Sequence, residues 1–286
     1  MEVFKMKENK IGFIGAGNMA SALIQGMIQS GQFTTDQIRI NNKSNLPRRR
    51  QMVAAYAIPY VGKRELIRWA DVLILAVKPQ DLFDVLEEIS PLLTERKLII
   101  SIAAGVDIKS IAATLTNQVP LIRAMPNMSA RVLYSATALA VGKLVLTEEY
   151  ELARRIFFCV GSVHQVPEAQ MDAVTGLSGS GPAYVYTFLK AMIEGGEQLG
   201  LSHSDAGELA LQTVRGAIEM ITVTGDEPAE LTRQICSPNG TTLAGLNVLE
   251  SHHFQENIVD AIRAASHRSE ELRMENRQRQ AARKAV

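Results

Sequence analysis

The 286-residue chain has two cysteines, Cys159 and Cys236, far apart and outside any CxxC or Cys/His cluster. That excludes a disulfide framework and a zinc site, and it fits a reducing, cytoplasmic setting. The five histidines, His164, His203, His252, His253 and His267, lack metal-ligand spacing, so no metal is expected. There is no excess of charge of either sign: 30 basic residues face 30 acidic ones, so no global field draws nucleic acid or an anionic membrane. Long apolar runs are missing too. Met1 to Lys10 is charged and lacks the apolar centre of a signal peptide, and Val72–Val77 and Leu98–Gly105 are too short to cross a bilayer. What is present is a 47% hydrophobic composition, ample for two packed cores at this length. The expected partners are small molecules and other copies of the chain.

Ile11–Ile14 is an apolar run followed at once by Gly15-Ala16-Gly17-Asn18-Met19-Ala20, and Met19, Leu23, Met27 and Ile28 then recur at helical spacings. This is G-x-G-x-x-A between a strand and a helix, the context in which the pattern predicts a dinucleotide site. Gly15 permits the tight turn, Gly17 lets backbone approach a pyrophosphate, and small Ala20 lets the helix pack on the strand. Asn18 and Met19 open a helix whose N-terminus attracts phosphate. An incidental glycine turn is the competing reading.

The second strand should end near Ile38–Asn41, where an NAD-binding chain carries a carboxylate for the ribose hydroxyls. Here the chain reads Asn41-Asn42-Lys43-Ser44-Asn45-Leu46-Pro47-Arg48-Arg49-Arg50, with no acid at all. Lys43 would attract a 2′-phosphate and Asn42 and Ser44 would hydrogen-bond it, so NADPH is the expected cofactor, with NADH possible. Arg49 and Arg50 taken singly read as a solvated helix start.

Val72–Val77 is the next strand and runs into Ala76-Val77-Lys78-Pro79-Gln80, with Pro79 suited to the first turn of a helix. Leu98–Ile102 and Val119–Ala124 follow, ending in Ala103-Ala104-Gly105 and Met125-Pro126-Asn127. Ala136–Val141 reads as a strand at the sheet edge, Glu148–Cys159 as a helix, and Ser162–Val166 as a last short strand. Six or more strands interleaved with helices predict an α/β, doubly wound, mostly parallel (Rossmann-like) domain over residues 1–167, with ligands at the strands' carboxyl ends.

Residues 168–286 show helix-period patterns alone and predict an all-helical second domain. The joint contains Gly176-Leu177-Ser178-Gly179-Ser180-Gly181-Pro182-Ala183-Tyr184, which is either a plain interdomain joint or a turn brought close to a ligand. Helices are expected over 182–199, from Ser204 or Asp205 to about 223, over 227–235, 243–251 and 254–272. Arg273 to Lys284 reads as a solvated, fraying end. Apolar helix faces left uncovered favour dimerisation. Ser237-Pro238-Asn239-Gly240-Thr241-Thr242 places backbone N–H groups and hydroxyls at a helix start, a seat for a small carboxylate or an ordinary N-cap.

Five segments together resemble the pyrroline-5-carboxylate reductase family, in that family's order: Gly12 to Ala20, Ala76 to Pro79, Arg123 to Asn127, Gly179 to Tyr184, and Ser237 to Thr242. The resemblance implies reduction of 1-pyrroline-5-carboxylate to L-proline by NADPH or NADH. It implies that Gly15, Gly17, Asn18 and Met19 border the dinucleotide, and that Ala76, Val77, Lys78 and Pro79, with Ala104 and Gly105, line its nicotinamide half. It further implies that Ser237, Asn239, Gly240, Thr241 and Thr242 of a partner subunit hold the substrate carboxylate, with Thr242 near the imine nitrogen as the catalytic position. An intertwined homodimer, which can assemble further into a decamer, belongs to the same expectation. Asn239 departs from the family's usual glycine, and Met128 from its usual threonine. Asparagine tolerates left-handed backbone angles, so the loop is expected to keep its shape.

Two other readings compete. A hydroxyacid dehydrogenase would share Gly176-x-x-Gly179-x-Gly181 but needs a lysine four residues on, where this chain has Val185. A nucleotide-binding paralogue with a regulatory role would be favoured by Asn239.

Overall fold

The computed structural model describes residues 9–42 and 54–284. It divides into two compact units, Met1–Gly179 together with Ala264–Val286, and Ser180–Arg263. The first unit is a seven-stranded sheet in the order β2-β1-β3-β4-β5-β6-β7. Its strands are β1 (Ile11–Ile14), β2 (Ile38–Asn41), β3 (Val72–Leu75), β4 (Leu98–Ser101), β5 (Leu121–Met125), β6 (Ser135–Val141) and β7 (Gly161–Gln165). β1 pairs in parallel with both β2 and β3, the sheet stays parallel through β5, and β6 then runs antiparallel to β5.

The helices of this unit are α1 (Asn18–Gln29), α2 (Lys63–Trp69), α3 (Pro79–Ile89), α4 (Ile108–Thr114), α5 (Thr147–Phe158) and α6 (Met171–Val174), the last continuing into a π-helical turn at Thr175–Gly179. Buried side chains fall into two layers. Phe13, Leu23, Ile24, Ile74 and Ile100 pack on one face, and Ile14, Leu73, Leu75, Leu82, Leu86 and Ile99 on the other. Burial on both faces explains why β1, β3 and β4 read as unbroken apolar runs rather than alternating ones. Each such side chain contributes about 1.5–3 kcal/mol relative to exposure.

Ala136–Val141, expected at the edge, lies inside it: β6 is flanked by β5 and β7. The edge is β7, whose residues are largely exposed. Its first residue, Gly161, has φ +146°, and a Cβ there would stand 2.1 Å from the Ser135 carbonyl oxygen, so only glycine fits the pairing with β6.

The second unit holds α7 (Gly181–Gln198), α8 (His203–Thr224), α9 (Pro228–Ile235), α10 (Thr241–Ser251) and the first part of α11 (Phe254–Lys284). Ser202 caps α8 by accepting from the Asp205 N–H at 3.1 Å, and Gly225 ends it in a left-handed conformation. Large apolar side chains stay uncovered in the single chain, among them Tyr186, Leu209, Leu211, Val223 and Val248. Within α7, α9 and α10 no residue is buried. Helices of this composition bury their apolar stripes against something else.

One expectation changes at the chain's C-terminal end. By packing alone the compact units divide after Gly179, with α6 and the π-helical turn in the first. Arg273 to Lys284 continues α11 as helix rather than fraying, and it belongs to the first unit. Three of its arginines have partners: Arg273 Nε donates to Asp172 at 2.8 Å, Arg277 Nε to Asp107 at 2.5 Å, and Arg283 pairs with Asp84 at 2.6 Å.

Candidate functional site

The carboxyl ends of β1, β3 and β4 meet where the strand order reverses around β1, the position at which open α/β sheets bind ligands. Gly15 follows β1 with φ +106°, and a Cβ on it would lie 2.4 Å from the Ala76 carbonyl oxygen. The Gly15 N–H donates to the Asn41 carbonyl at 2.8 Å, and the Ala76 N–H donates to the Ile14 carbonyl at 2.8 Å. Three strand ends are thus drawn together on one glycine. Gly17 is the N-cap of α1 and is exposed, with nothing nearer to a Cβ on it than the Ala76 oxygen at 4.0 Å. A glycine cap brings no side chain over the helix start, and the first turn of α1 has no acid to repel an anion. Ala20 is fully buried, as close helix–strand packing requires. Asn18 is exposed and Met19 packs partly on the core.

A cavity of 190 Å³ beside this turn is lined by Gly15, Asn42 and Val77 together with Lys63, Asp81, Asp84 and Glu88. The last four were not singled out from the sequence; they arrive from α2 and α3, whose relation to β2 only the tertiary fold sets. Lys63 is ion-paired with Glu88. Lys43 and Ser44 lie outside the described residues. Lys78 is the exposed N-cap of α3 and Pro79 its first residue.

Gly105 occupies the turn after β4, buried and left-handed at φ +68°. The Asp107 carboxylate caps α4, accepting from the Ser110 N–H at 2.7 Å, while its second oxygen takes the Arg277 Nε. Burial pushes this carboxyl up, but the Ser110 N–H and the Arg277 guanidinium outweigh it, so it titrates below its ordinary value. A depressed folded-state value contributes stability that is fully present above the unfolded value of about 4 and is lost as pH falls through the folded one. Asp107→Asn is therefore expected to unfold more readily than the parent near neutrality, with the gap closing below about pH 4. Urea unfolding at a series of pH values measures this, and a gap that persists unchanged in acid would refute it.

Arg123, on β5, is 1% exposed, and neither Nη1 nor Nη2 has a hydrogen-bond partner among the described residues. Burial lowers its ordinary value, and the carboxylates of Glu168, Asp172 and Asp107 oppose that. The sequence marks Arg123 only as part of a motif. Its counter-charges come from three separate segments, the nearest of them, Asp107, on the far side of α4, so spacing gives no hint of them. One residue pair further along, Asn127 Nδ2 donates to the Ser178 carbonyl at 3.0 Å, and a Cβ on Gly179 would meet Met125 Cε at 2.9 Å. The glycine- and serine-rich stretch therefore serves close packing against the end of β5.

In the second unit, Ser237 to Gly240 forms a turn closed by the Gly240 N–H donating to the Ser237 carbonyl at 2.9 Å. Pro238 and Asn239 are its central residues, and Asn239 has φ +59°. Proline followed by a left-handed residue is the arrangement such a turn favours. Gly240 is the N-cap of α10, and a Cβ there would fall 2.3 Å from Ser237 Oγ. Thr241 and Thr242 are the first two residues of α10, with Thr242 half-buried. The expected left-handed asparagine is present, and the turn delivers hydroxyls and helix-start N–H groups to one place. Val185, on α7, is 44% exposed and brings no ionisable group.

Comparison with known proteins gives two family matches. The model for pyrroline-5-carboxylate reductase dimerisation covers residues 168–272, and the model for NADP oxidoreductase, coenzyme F420-dependent, covers residues 10–105. A pyrroline-5-carboxylate reductase of Methanosarcina acetivorans is 42% identical over 93% of this chain and 99% of its own length. One from Pseudomonas aeruginosa is 40% identical over 93% of this chain and 98% of its own. Among solved structures, the Coxiella burnetii pyrroline-5-carboxylate reductase superposes with a TM-score of 0.87 at 36% identity, covering 93% of this chain and 99% of that one. The Plasmodium falciparum pyrroline carboxylate reductase, solved with NADP bound, gives 0.85 at 31% identity, covering 94% of this chain and 99% of that one.

Proposed function

The chain belongs to the pyrroline-5-carboxylate reductase family, and we infer from that membership that it reduces the cyclic imine of 1-pyrroline-5-carboxylate to L-proline with NADPH. The observation that carries the cofactor half is the Gly15 cradle, which a Cβ would fill and which stands beside an acid-free helix start. Such a seat fits a pyrophosphate. When bound, the reduced nicotinamide supplies hydride. Gly15, Gly17, Asn18 and Met19 would hold the dinucleotide at the start of α1. Ala76, Val77, Lys78 and Pro79, with Ala104 and Gly105, would border its nicotinamide half at the ends of β3 and β4. Asn42, Lys43 and Ser44 would take the 2′-phosphate.

The substrate side is assigned to Ser237, Asn239, Gly240, Thr241 and Thr242 of a partner subunit. The N-terminus of α10 offers a carboxylate the positive end of a helix dipole, and the Thr242 hydroxyl can orient the ring nitrogen. A protonated imine is already electrophilic, so the protein's task is positioning and exclusion of water, which suits a site without a His/Asp pair. Asn239 acts through its backbone in this reading, and its left-handed φ supports a loop that keeps its shape without the usual glycine. Residues 168–286 serve as the dimerisation and substrate domain. The uncovered apolar residues of the second unit support an intertwined homodimer, with a decamer as the further assembly. No helix among the described residues is long and apolar enough to cross a membrane. Both cysteines are free, which supports a cytoplasmic setting.

A spectrophotometric assay of NADPH oxidation in the presence of 1-pyrroline-5-carboxylate tests the function directly. Turnover is expected, and NADPH binding without turnover would overturn it. With NADH in place of NADPH, kcat/KM is expected to fall at least about tenfold, the effect of losing one charge-assisted contact. Equal efficiency would remove the role given to Asn42, Lys43 and Ser44.

A further inference from the structure

The turn after β4 is held from outside its own neighbourhood. Asn276, on the C-terminal part of α11, is 6% exposed and donates from Nδ2 to the Gly105 carbonyl at 2.8 Å across 171 residues of sequence. A Cβ on Gly105 would lie 3.2 Å from Leu272 Cβ and 3.5 Å from Asn276 Nδ2, so the helix is seated directly on the glycine. Arg277 adds its bond to Asp107, and Glu168 accepts the Ile108 N–H at 2.6 Å. Every polar group of the turn from Gly105 to Ile108 named here is therefore fixed by α11 or by Glu168, and all of these residues lie in the first unit.

A left-handed turn at a strand end has few bonds of its own to set where its peptide planes point. An amide aimed at the central carbonyl fixes that plane, and with it the direction of the neighbouring Ala104 and Gly105 backbone. We propose that Asn276 is a positioning residue for the reduced cofactor, holding the Gly105 carbonyl so that the Ala104–Gly105 backbone presents one fixed surface to the nicotinamide half. This rests on the reading that Ala104 and Gly105 border that half. Asn276 reaches the turn through the Gly105 carbonyl, which faces α11.

The test compares Asn276→Ala with Ser269→Ala. Ser269 donates to Asp172 at 2.8 Å from the same helix, so its loss loosens α11 similarly without touching the turn. Asn276→Ala is expected to raise KM for NADPH about tenfold while KM for 1-pyrroline-5-carboxylate stays within about twofold, and Ser269→Ala to leave both unchanged. Hydrogen exchange should show faster exchange at residues 103–108 in Asn276→Ala alone. Equal kinetic changes in the two variants, or none in Asn276→Ala, would overturn the proposal. Should Asn276→Ala not fold, Asn276→Ser, whose shorter side chain stays polar but falls short of the Gly105 carbonyl, carries the same comparison; failure of both to fold would also count against a positioning role. Lack of NADPH oxidation by the unaltered protein would instead defeat the functional reading on which the proposal stands.

Discussion

Gly15→Ala is expected to abolish measurable NADPH binding and to destabilise the protein by about 2–6 kcal/mol, the sum of backbone strain and overpacking each worth about 1–3 kcal/mol. Two independent facts act in the same direction. The residue has φ +106°, which an L side chain rarely adopts, and the added Cβ would stand 2.4 Å from a backbone oxygen, that of Ala76, which cannot swing aside as a side chain could. Relief requires separating the ends of β1 and β3, which are the seat proposed for the cofactor. Gly17→Ala is the informative partner. Its φ is −72° and its nearest backbone neighbour is 4.0 Å from the new methyl, so the fold should hold. Denaturant unfolding and a fluorescence titration with NADPH separate the cases: stability falls for Gly15→Ala, while Gly17→Ala loses affinity alone. A Gly15→Ala protein that binds NADPH within about threefold of the parent would remove this turn from the cofactor site.

Thr242→Ala is expected to lower kcat about ten- to a hundredfold, or roughly 1.4–2.7 kcal/mol of transition-state stabilisation, with NADPH affinity unchanged. The threonine is the second residue of α10, immediately after a turn built on left-handed Asn239 and on Gly240, where a Cβ would force the Ser237 hydroxyl to turn away. The backbone, then, fixes where the hydroxyl stands. Removing it should spare the helix start, since Gly240 and not Thr242 is the N-cap. Steady-state kinetics with a direct NADPH titration decide the matter. Unchanged turnover would sink the assignment, and a parallel loss of cofactor affinity would point to a collapsed loop instead.

The sheet was legible wherever burial on both faces left continuous apolar runs, as in β1, β3 and β4, and wherever a glycine or proline punctuated a strand end. Gly15, Gly17 and Pro79 stand where the sequence pattern places them. The edge was misjudged because β6 and β7 are both polar in part; which one is flanked depends on pairing across a long connection, and no local signal carries that. The C-terminal end was misjudged for a related reason. Arg273, Asn276 and Arg277 look like residues of a solvated helix face until Asp172, Gly105 and Asp107 are brought to them by the fold. Polar residues that serve as docking groups have the same composition as polar residues that serve as surface. Gly15 announces itself because backbone geometry restricts the choice of residue; the carboxylates around Arg123 do not, because any segment could have supplied them.

The seating of Asn276 on Gly105 also bears on how the protein is made. During synthesis the first 179 residues leave the ribosome with Asp107 and Asp172 lacking their arginines, and the helix that supplies them follows only after the whole of Ser180–Arg263 has been translated. Chains grow at about 5–20 residues per second, slow compared with helix formation and collapse. The first unit therefore waits, its Gly105–Asp107 turn unsecured, until the C-terminal part of α11 arrives to hold it.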